Sequence, residues 1–340
     1  MKLALYIIGA VLGVFALAVI AFLIYFISSP MPVVKKLRGG MDGSITYPKG
    51  SETLKDNIEI KKDLTYLSKY GKNTLDLYLP KDDGKYPLVM WVHGGAFVAG
   101  DKSGVENWAV MLAHNGYAVA AMNYEWAPEA AYPAQVIQIT EALKAVGKIA
   151  ADNGKIDMAR VVIAGDSAGA HMAAQFALIH TNPAFAKRMD IVSPLEKNAL
   201  KCALLYCGPY NLEKMFGIEN KLLRLFISRV GWSYLGQKNW RKSKWLDTLT
   251  PADFVTENFV PSYITDGNSF SFESHGMELG KKLCSLGVTV AERYFPKEKF
   301  GEVNHEYQMQ LDTENGMMCL KDTLEFLSEI MKSESVPNKK

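Results

Sequence analysis

Arg160-Val161-Val162-Ile163-Ala164-Gly165-Asp166-Ser167-Ala168-Gly169-Ala170-His171 decides how the rest of the chain reads. An apolar strand pattern runs without a break into a serine held between glycines. An Ala-rich helical stretch, residues 168–180, follows at once. Strand, tight turn and helix are the setting that G-x-S-x-G needs, because the turn lifts the serine hydroxyl clear of a sheet. Side chains at positions 165 and 169 would crowd so sharp a bend, hence the glycines. The helix that follows offers a backbone N–H and its positive dipole end to developing negative charge.

Outward from this stretch, strands and helices alternate. Upstream, residues 58–67 and 74–79 read as strands joined by a turn at Gly71, and residues 87–92 as a short apolar strand. A helix over 107–115 stops at Gly116, a strand covers 117–122, and a helix with Pro133 in its first turn runs to about 151. Downstream, strands are expected at 203–206, 262–265 and 289–294, and helices at 273–286 and 320–332. The alternation implies an α/β fold, a mainly parallel central sheet with helices on both faces. Between Leu212 and Asp253 it breaks, in a stretch carrying Phe216, Phe226, Trp232, Tyr234 and Trp240. Residues 213–253 are expected to form a lid or cap over the site, the alternative being an extra helix on the outer core.

The strand at 87–92 ends in His93-Gly94-Gly95-Ala96-Phe97. Glycines there let backbone N–H groups approach a substrate oxygen, so Gly94 and Gly95 are the expected oxyanion-hole donors, with Ala168 as the third. His93 precedes the loop and is expected to brace it. If the chain order is Ser, acid, His, the base lies downstream. His305, in Val303-Asn304-His305-Glu306-Tyr307 between the last strand and the last helix, fits; His275 sits on a late helix. His171, one turn past Ser167, is expected to be a packed neighbour. The catalytic set is therefore Ser167, His305 and an acid. Asp266, at the end of the 262–265 strand, would hold the imidazole tautomer; Glu273 is the possible alternative acid. An Asp that only caps its turn is the structural reading of position 266.

His93-Gly94-Gly95, the stretch Asn123-Tyr124-Glu125-Trp126-Ala127-Pro128-Glu129 leading to Tyr132-Pro133-Ala134, and Gly165-Asp166-Ser167-Ala168-Gly169 together resemble the hormone-sensitive-lipase-like esterase branch of the α/β-hydrolase superfamily, as a membrane-anchored bacterial-type member. The resemblance spans about residues 75–327. It implies the α/β-hydrolase fold and a serine carboxylic-ester hydrolase with Ser167 as nucleophile, acting on short or medium acyl esters without a cofactor. In it, Asp166 and Glu129 are structural positions. Two departures stand out: Ala96 replaces the usual third glycine, which narrows the loop, and Ser269-Phe270-Ser271 stands where an Asp-Pro-Leu is usual. An amidase, peptidase or arylformamidase-like enzyme would use the same residues. A catalytically inactive, membrane-anchored binding module is the non-enzymatic alternative.

Composition bounds the rest. Lys and Arg number 38 against 36 Asp and Glu, net +2, with no basic stripe, so nucleic acid is not an expected partner. Cys202, Cys207, Cys284 and Cys319 match no zinc spacing, and no metal is expected. From Leu3 to Ile27 no residue is charged, and such a helix can cross a hydrocarbon core about 30 Å thick. Residues 1–28 are read as a transmembrane anchor, with a cleaved secretory signal as the alternative. Residues 29–56, broken by Pro30, Pro32, Gly39, Gly40, Gly43 and Pro48, are read as a tether, and 57–335 as the hydrolase domain. Lys35, Lys36 and Arg38 after the span outweigh Lys2 before it, which favours a cytoplasmic catalytic domain. The expected partners are a small-molecule ester and the membrane.

Overall fold

The computed structural model describes residues 2–40, 44–51, 53–215, 217 and 219–333. Gly43 of the expected tether, Phe216 of the aromatic insertion and the tail from 334 onward lie outside the described residues. In chain order the elements are α1 (Lys2–Ser28), α2 (Met31–Arg38), β1 (Ile58–Thr65), β2 (Thr74–Pro80), β3 (Tyr86–Val92), α3 (Glu106–His114), β4 (Ala118–Met122), α4 (Ala134–Asn153) and β5 (Ile156–Asp166). They continue with α5 (Ala168–Thr181), α6 (Pro183–Met189), β6 (Leu200–Tyr206), α7 (Lys221–Leu235), β7 (Ser262–Thr265), α8 (Glu273–Ser285), β8 (Val290–Arg293), α9 (Lys297–Phe300) and α10 (Glu314–Ser333).

Among the described residues the strands form one sheet in the order β1-β2-β4-β3-β5-β6-β7-β8. β1, β2 and β4 pair antiparallel, and from β4 to β8 every pairing is parallel. The central strands read as near-continuous apolar runs because both faces are covered. Leu88, Met90 and Val92 of β3 join one core cluster, with α4 and α5 residues such as Val136, Ile139, Met172 and Phe176. Val89 and Trp91 of the same strand join the other, with Trp108 of α3 and Leu327 of α10. After β3 the chain goes to β4 on one side, then returns to β5 on the other. The strand order thus reverses between β3 and β5, where open α/β sheets place their crevice.

Among the segments that differ from expectation are three. The stretch 29–56 holds α2, whose Val34 is fully buried and which packs against α7. Pro32 is tolerated in its first turn. Two turns are too short to show a helical period, so the sequence reads as an irregular linker. Helix α6 was also not expected, although Asn182 caps it, its Oδ1 accepting from Ala184 N (3.0 Å) and Phe185 N (3.1 Å). Finally, α10 starts at Glu314, before position 320, with Thr313 Oγ1 accepting from Gly316 N at 3.1 Å.

The described residues of 213–253 include α7 and short 3-10 turns. The second half of α7 is built into the core through Ile227, Val230, Tyr234 and Leu235. Its first turn, Lys221 to Arg224, is exposed.

Candidate active site

Three strand ends deliver the site. β5 runs into Ser167, whose backbone is held at φ 50°, ψ −117°. Its N–H donates to Tyr206 O at 2.8 Å, which fastens the bend to β6. A Cβ on Gly169 would lie 2.0 Å from Val92 O, and one on Gly165 2.5 Å from Gly169 C. The turn therefore closes only because neither position carries a side chain.

β3 delivers the loop His93-Gly94-Gly95-Ala96-Phe97. The His93 ring is buried and stacked on Tyr124 with centroids 4.4 Å apart, and Nδ1–H donates to Gly94 O at 2.6 Å. Burial pulls its pKa down to about 4, so it stays neutral and serves as a brace. Gly95 sits at φ 115°, and a Cβ there would lie 2.2 Å from Ala99 O. Ala96 (φ 51°) and Phe97 (φ 64°) are left-handed without being glycine, which costs about 1–2 kcal/mol each. Packing holds the second: the Phe97 ring stacks on Tyr234 of α7 with centroids 3.9 Å apart.

Gly94 requires a correction. Its N–H donates to Asp166 Oδ2 at 2.7 Å, while Asp166 Oδ1 accepts from Trp91 Nε1 at 2.8 Å. It is thus unavailable to a substrate oxygen. Among the described residues, the N–H groups of Gly95, Ala96 and Ala168 have no hydrogen-bond partner. Ala96 is not among the expected donors, yet its amide, next to Gly95 in the loop, is as unpartnered as those of Gly95 and Ala168. Burial, then the nearby Glu306 charge, raises the pKa of Asp166.

His305 comes from the loop after α9. That loop is laced to the end of β7: His305 N donates to Ser269 O (3.0 Å), and Asn268 N and Ser269 N donate to Val303 O (2.8 and 3.0 Å). As a result His305 Nε2 lies 3.0 Å from Ser167 Oγ, and Nδ1 lies 3.4 Å from Asp266 Oδ1. Asp266 is buried, and two backbone N–H groups orient its carboxylate: Gly267 N to Oδ1 and Phe272 N to Oδ2, both 2.7 Å. Burial disfavours the His305 cation, but the hydrogen bond and charge of Asp266, with Glu306 and Asp166 nearby, leave its pKa above the ordinary value of 6.5.

The other candidates fall outside this chain of contacts. Glu273 opens α8, makes no hydrogen bond to His305 among the described residues, and has its pKa raised by burial and by the charge of Asp266. His275 Nδ1 accepts from Asn211 N at 3.2 Å, and His171 Nδ1–H donates to Pro209 O at 2.7 Å. Burial pulls both to about 4. Cys207 Sγ, an Asp266 oxygen and a His305 nitrogen lie within 4.8 Å of one another. Burial pushes the Cys207 thiol well up, and it donates to Gln308 Oε1 at 3.2 Å, so it is a protonated neighbour of the pair.

The residues between Asn123 and Glu129 brace the His-Gly-Gly loop from behind. Tyr124 Oη donates to His93 O (3.0 Å), Ala127 N to Phe97 O (2.9 Å) and Trp126 Nε1 to Gly100 O (3.1 Å). In front of Ser167 and His305 opens a cavity of about 1090 Å³, lined by Phe97, Leu223, Phe226, Ile227, Val230 and Phe272 among others. Chemically, the arrangement offers a hydroxyl on a base, a carboxylate behind the base and, at Gly95, Ala96 and Ala168, three amides without a partner among the described residues.

Residues 75–271 match the family model BD-FAE. The chain is 33% identical over 118 residues to isoprenylcysteine alpha-carbonyl methylesterase of Arabidopsis thaliana, covering 34% of this chain and 27% of that one. It is 27% identical over 185 residues to kynurenine formamidase of Drosophila melanogaster, covering 51% and 58%. It thus spans less than two thirds of the length of either relative. The solved structure of Esterase B from Lactobacillus rhamnosis HN001 superposes with a TM-score of 0.75 at 18% identity, covering 90% of this chain and 97% of the other. The family match extends over more than half of the chain and contains both the His-Gly-Gly loop and the serine elbow; with that and the sheet order above, the chain belongs to the BD-FAE family and has the α/β-hydrolase fold.

Proposed function

We propose that this chain is a carboxylic-ester hydrolase working by serine acyl transfer, with residues 57–335 as its catalytic domain. The observation that carries the reading is the 3.0 Å approach of Ser167 Oγ to His305 Nε2. Ser167 attacks the ester carbonyl while His305 takes its proton. Asp266 keeps Nδ1 protonated and balances the imidazolium that forms. The N–H groups of Gly95, Ala96 and Ala168 receive the tetrahedral oxyanion, each worth about 10²–10³ in rate. His305 then protonates the leaving alcohol, activates water, and the acyl-enzyme is hydrolysed. The apolar lining contributed by α7 supports the cap reading of residues 213–253 and an apolar acyl group; short or medium chains are the expected length.

Helix α1 is read as an uncleaved membrane anchor. Its 27 residues reach about 40 Å, and none is buried against the domain. The basic residues Lys35, Lys36 and Arg38 after it support a cytoplasmic domain.

A series of nitrophenyl esters of increasing acyl length, offered to the detergent-solubilised full chain, tests the activity. Turnover at short and medium length, absent in Ser167→Ala, is expected. Cleavage of an N-formyl arylamine with no ester turnover would transfer the site to the second reading, amide hydrolysis, which the likeness to kynurenine formamidase favours. Protease digestion of intact cells tests the orientation; removal of the domain from outside would reverse it.

A further inference from the structure

We propose that the mouth of this cavity is held against the membrane surface, and that the enzyme takes amphiphilic esters directly out of the leaflet. The inference rests on the esterase and anchor readings above and adds where the substrate comes from.

The first argument is the lack of slack. α1 ends at Ser28, Pro30 is already buried, and Val34 is fully buried. Arg38 is tied to Val98 O through Nε at 2.8 Å. A free linker between span and domain is missing among these residues, so the face around α2 lies at the bilayer surface. That face includes α7: α2 packs on it, and the Arg229 guanidinium lies 5.2 Å from the Phe26 ring at the end of α1. Gly40, just past α2, lines the cavity, as do Leu223, Phe226 and Ile227 of α7.

The second argument is what this face exposes. The first turn of α7, Lys221-Leu222-Leu223-Arg224, is wholly exposed, with Leu222 at 79% and Leu223 at 45%. It lies within about 12 Å along the helix of Arg229. Phe270, also at the cavity, is 94% exposed. Lys35 and Lys36 of α2 point to solvent. Apolar side chains interleaved with lysine and arginine, beside a membrane-spanning helix, form a surface for anionic headgroups and the upper acyl region. An ester whose tail stays in the leaflet would then present its carbonyl at cavity depth without crossing water.

The test uses the full chain in phosphatidylcholine vesicles doped with phosphatidylglycerol. An environment-sensitive fluorophore is placed on Leu222→Cys in a Cys284→Ser background, since Cys284 is the exposed thiol and the other three are buried. Quenching by lipids carrying a nitroxide near the headgroup is expected. A water-like, unquenched signal from protein that floats with the vesicles would overturn the proposal while leaving anchor and activity standing. Protein that does not float would remove the anchor, and this proposal with it; hydrolysis of a soluble ester then reports separately on the catalytic reading. In parallel, Lys221→Glu with Arg224→Glu is expected to lower turnover of a vesicle-dissolved ester, a short acyl group on a long-chain alcohol, about tenfold and leave a water-soluble ester unchanged. Equal effects on both esters, or none on either, would count against membrane delivery.

Discussion

Arg38 grips Glu129 with both arms of its guanidinium: Nη1 donates to Oε1 at 2.8 Å and Nη2 to Oε2 at 2.6 Å. The same group donates from Nε to Val98 O at 2.8 Å and lies 4.8 Å above the Trp126 ring. A side chain only ten residues past the end of α1 thereby braces the loop that carries Gly95 and Ala96. Arg38 is a positioning residue, since it touches neither Ser167 nor the cavity. Arg38→Ala should lower kcat with little change in KM and cost about 1–2 kcal/mol in denaturant unfolding. Arg38→Lys should rescue only part of kcat, because an ammonium cannot reproduce the fork. Unchanged kcat in the alanine variant would show that the loop stands without it.

Ser167 carries the clearest prediction. Ser167→Ala should lose labelling by a fluorophosphonate probe and drop kcat by a factor on the order of 10⁶. His305→Ala should lose comparable activity, because the two act as one unit. Probe labelling of the Ser167→Ala protein would identify a different nucleophile.

The acid can be separated from its rival by amides. Asp266→Asn should cost about 10⁴ in kcat through loss of the Nδ1–H tautomer, whereas Glu273→Gln should behave like the parent. The pH profile adds a sign. Catalysis needs neutral His305, so kcat/KM falls as pH drops through its pKa, and Asp266 holds that pKa above 6.5. In residual Asp266→Asn activity the acid limb should move to lower pH, since burial then acts with less opposition. An unmoved limb would mean that Asp266 does not govern the imidazole.

Ala96 is expected to narrow the oxyanion loop. Ala96→Gly relieves the left-handed backbone at φ 51° and opens room beside the amides. Relative rates on tertiary-alcohol esters should rise in this variant, measured against the matching primary-alcohol ester. A ratio identical to the parent's would place the limit elsewhere in the cavity.

Gly169→Ala tests the elbow's closure. The new Cβ would stand 2.0 Å from Val92 O, a backbone atom in a fully buried strand. The variant should be destabilised by roughly 3 kcal/mol or more, or fail to accumulate as soluble domain. Parent-like unfolding would require the turn to open without cost.

Whatever depends on contiguous residues was legible in the sequence. The bend at Ser167 lies in one run of strand, glycine, serine and helix, so its setting follows from local pattern and from the close approach that glycine allows. The α/β class followed in the same way from alternation along the chain. What depends on how separate strand ends meet was decided by the tertiary structure alone. The choice between positions 266 and 273 behind His305 is such a case and cannot be read from local pattern, because a few ångströms of placement separate a carboxylate facing Nδ1 from one turned aside, and Asp266 Oδ1 is the one found 3.4 Å from that nitrogen. Gly94 was another: its amide looks equivalent to that of Gly95 in sequence, yet Asp166, brought in from β5, takes it. Helix α2 was the third, since its two turns carry too little periodicity to be read and hold their place through burial of Val34 and the reach of Arg38. Local pattern specifies backbone shape; the direction in which a given N–H or carboxylate points is set by neighbours far away in the chain.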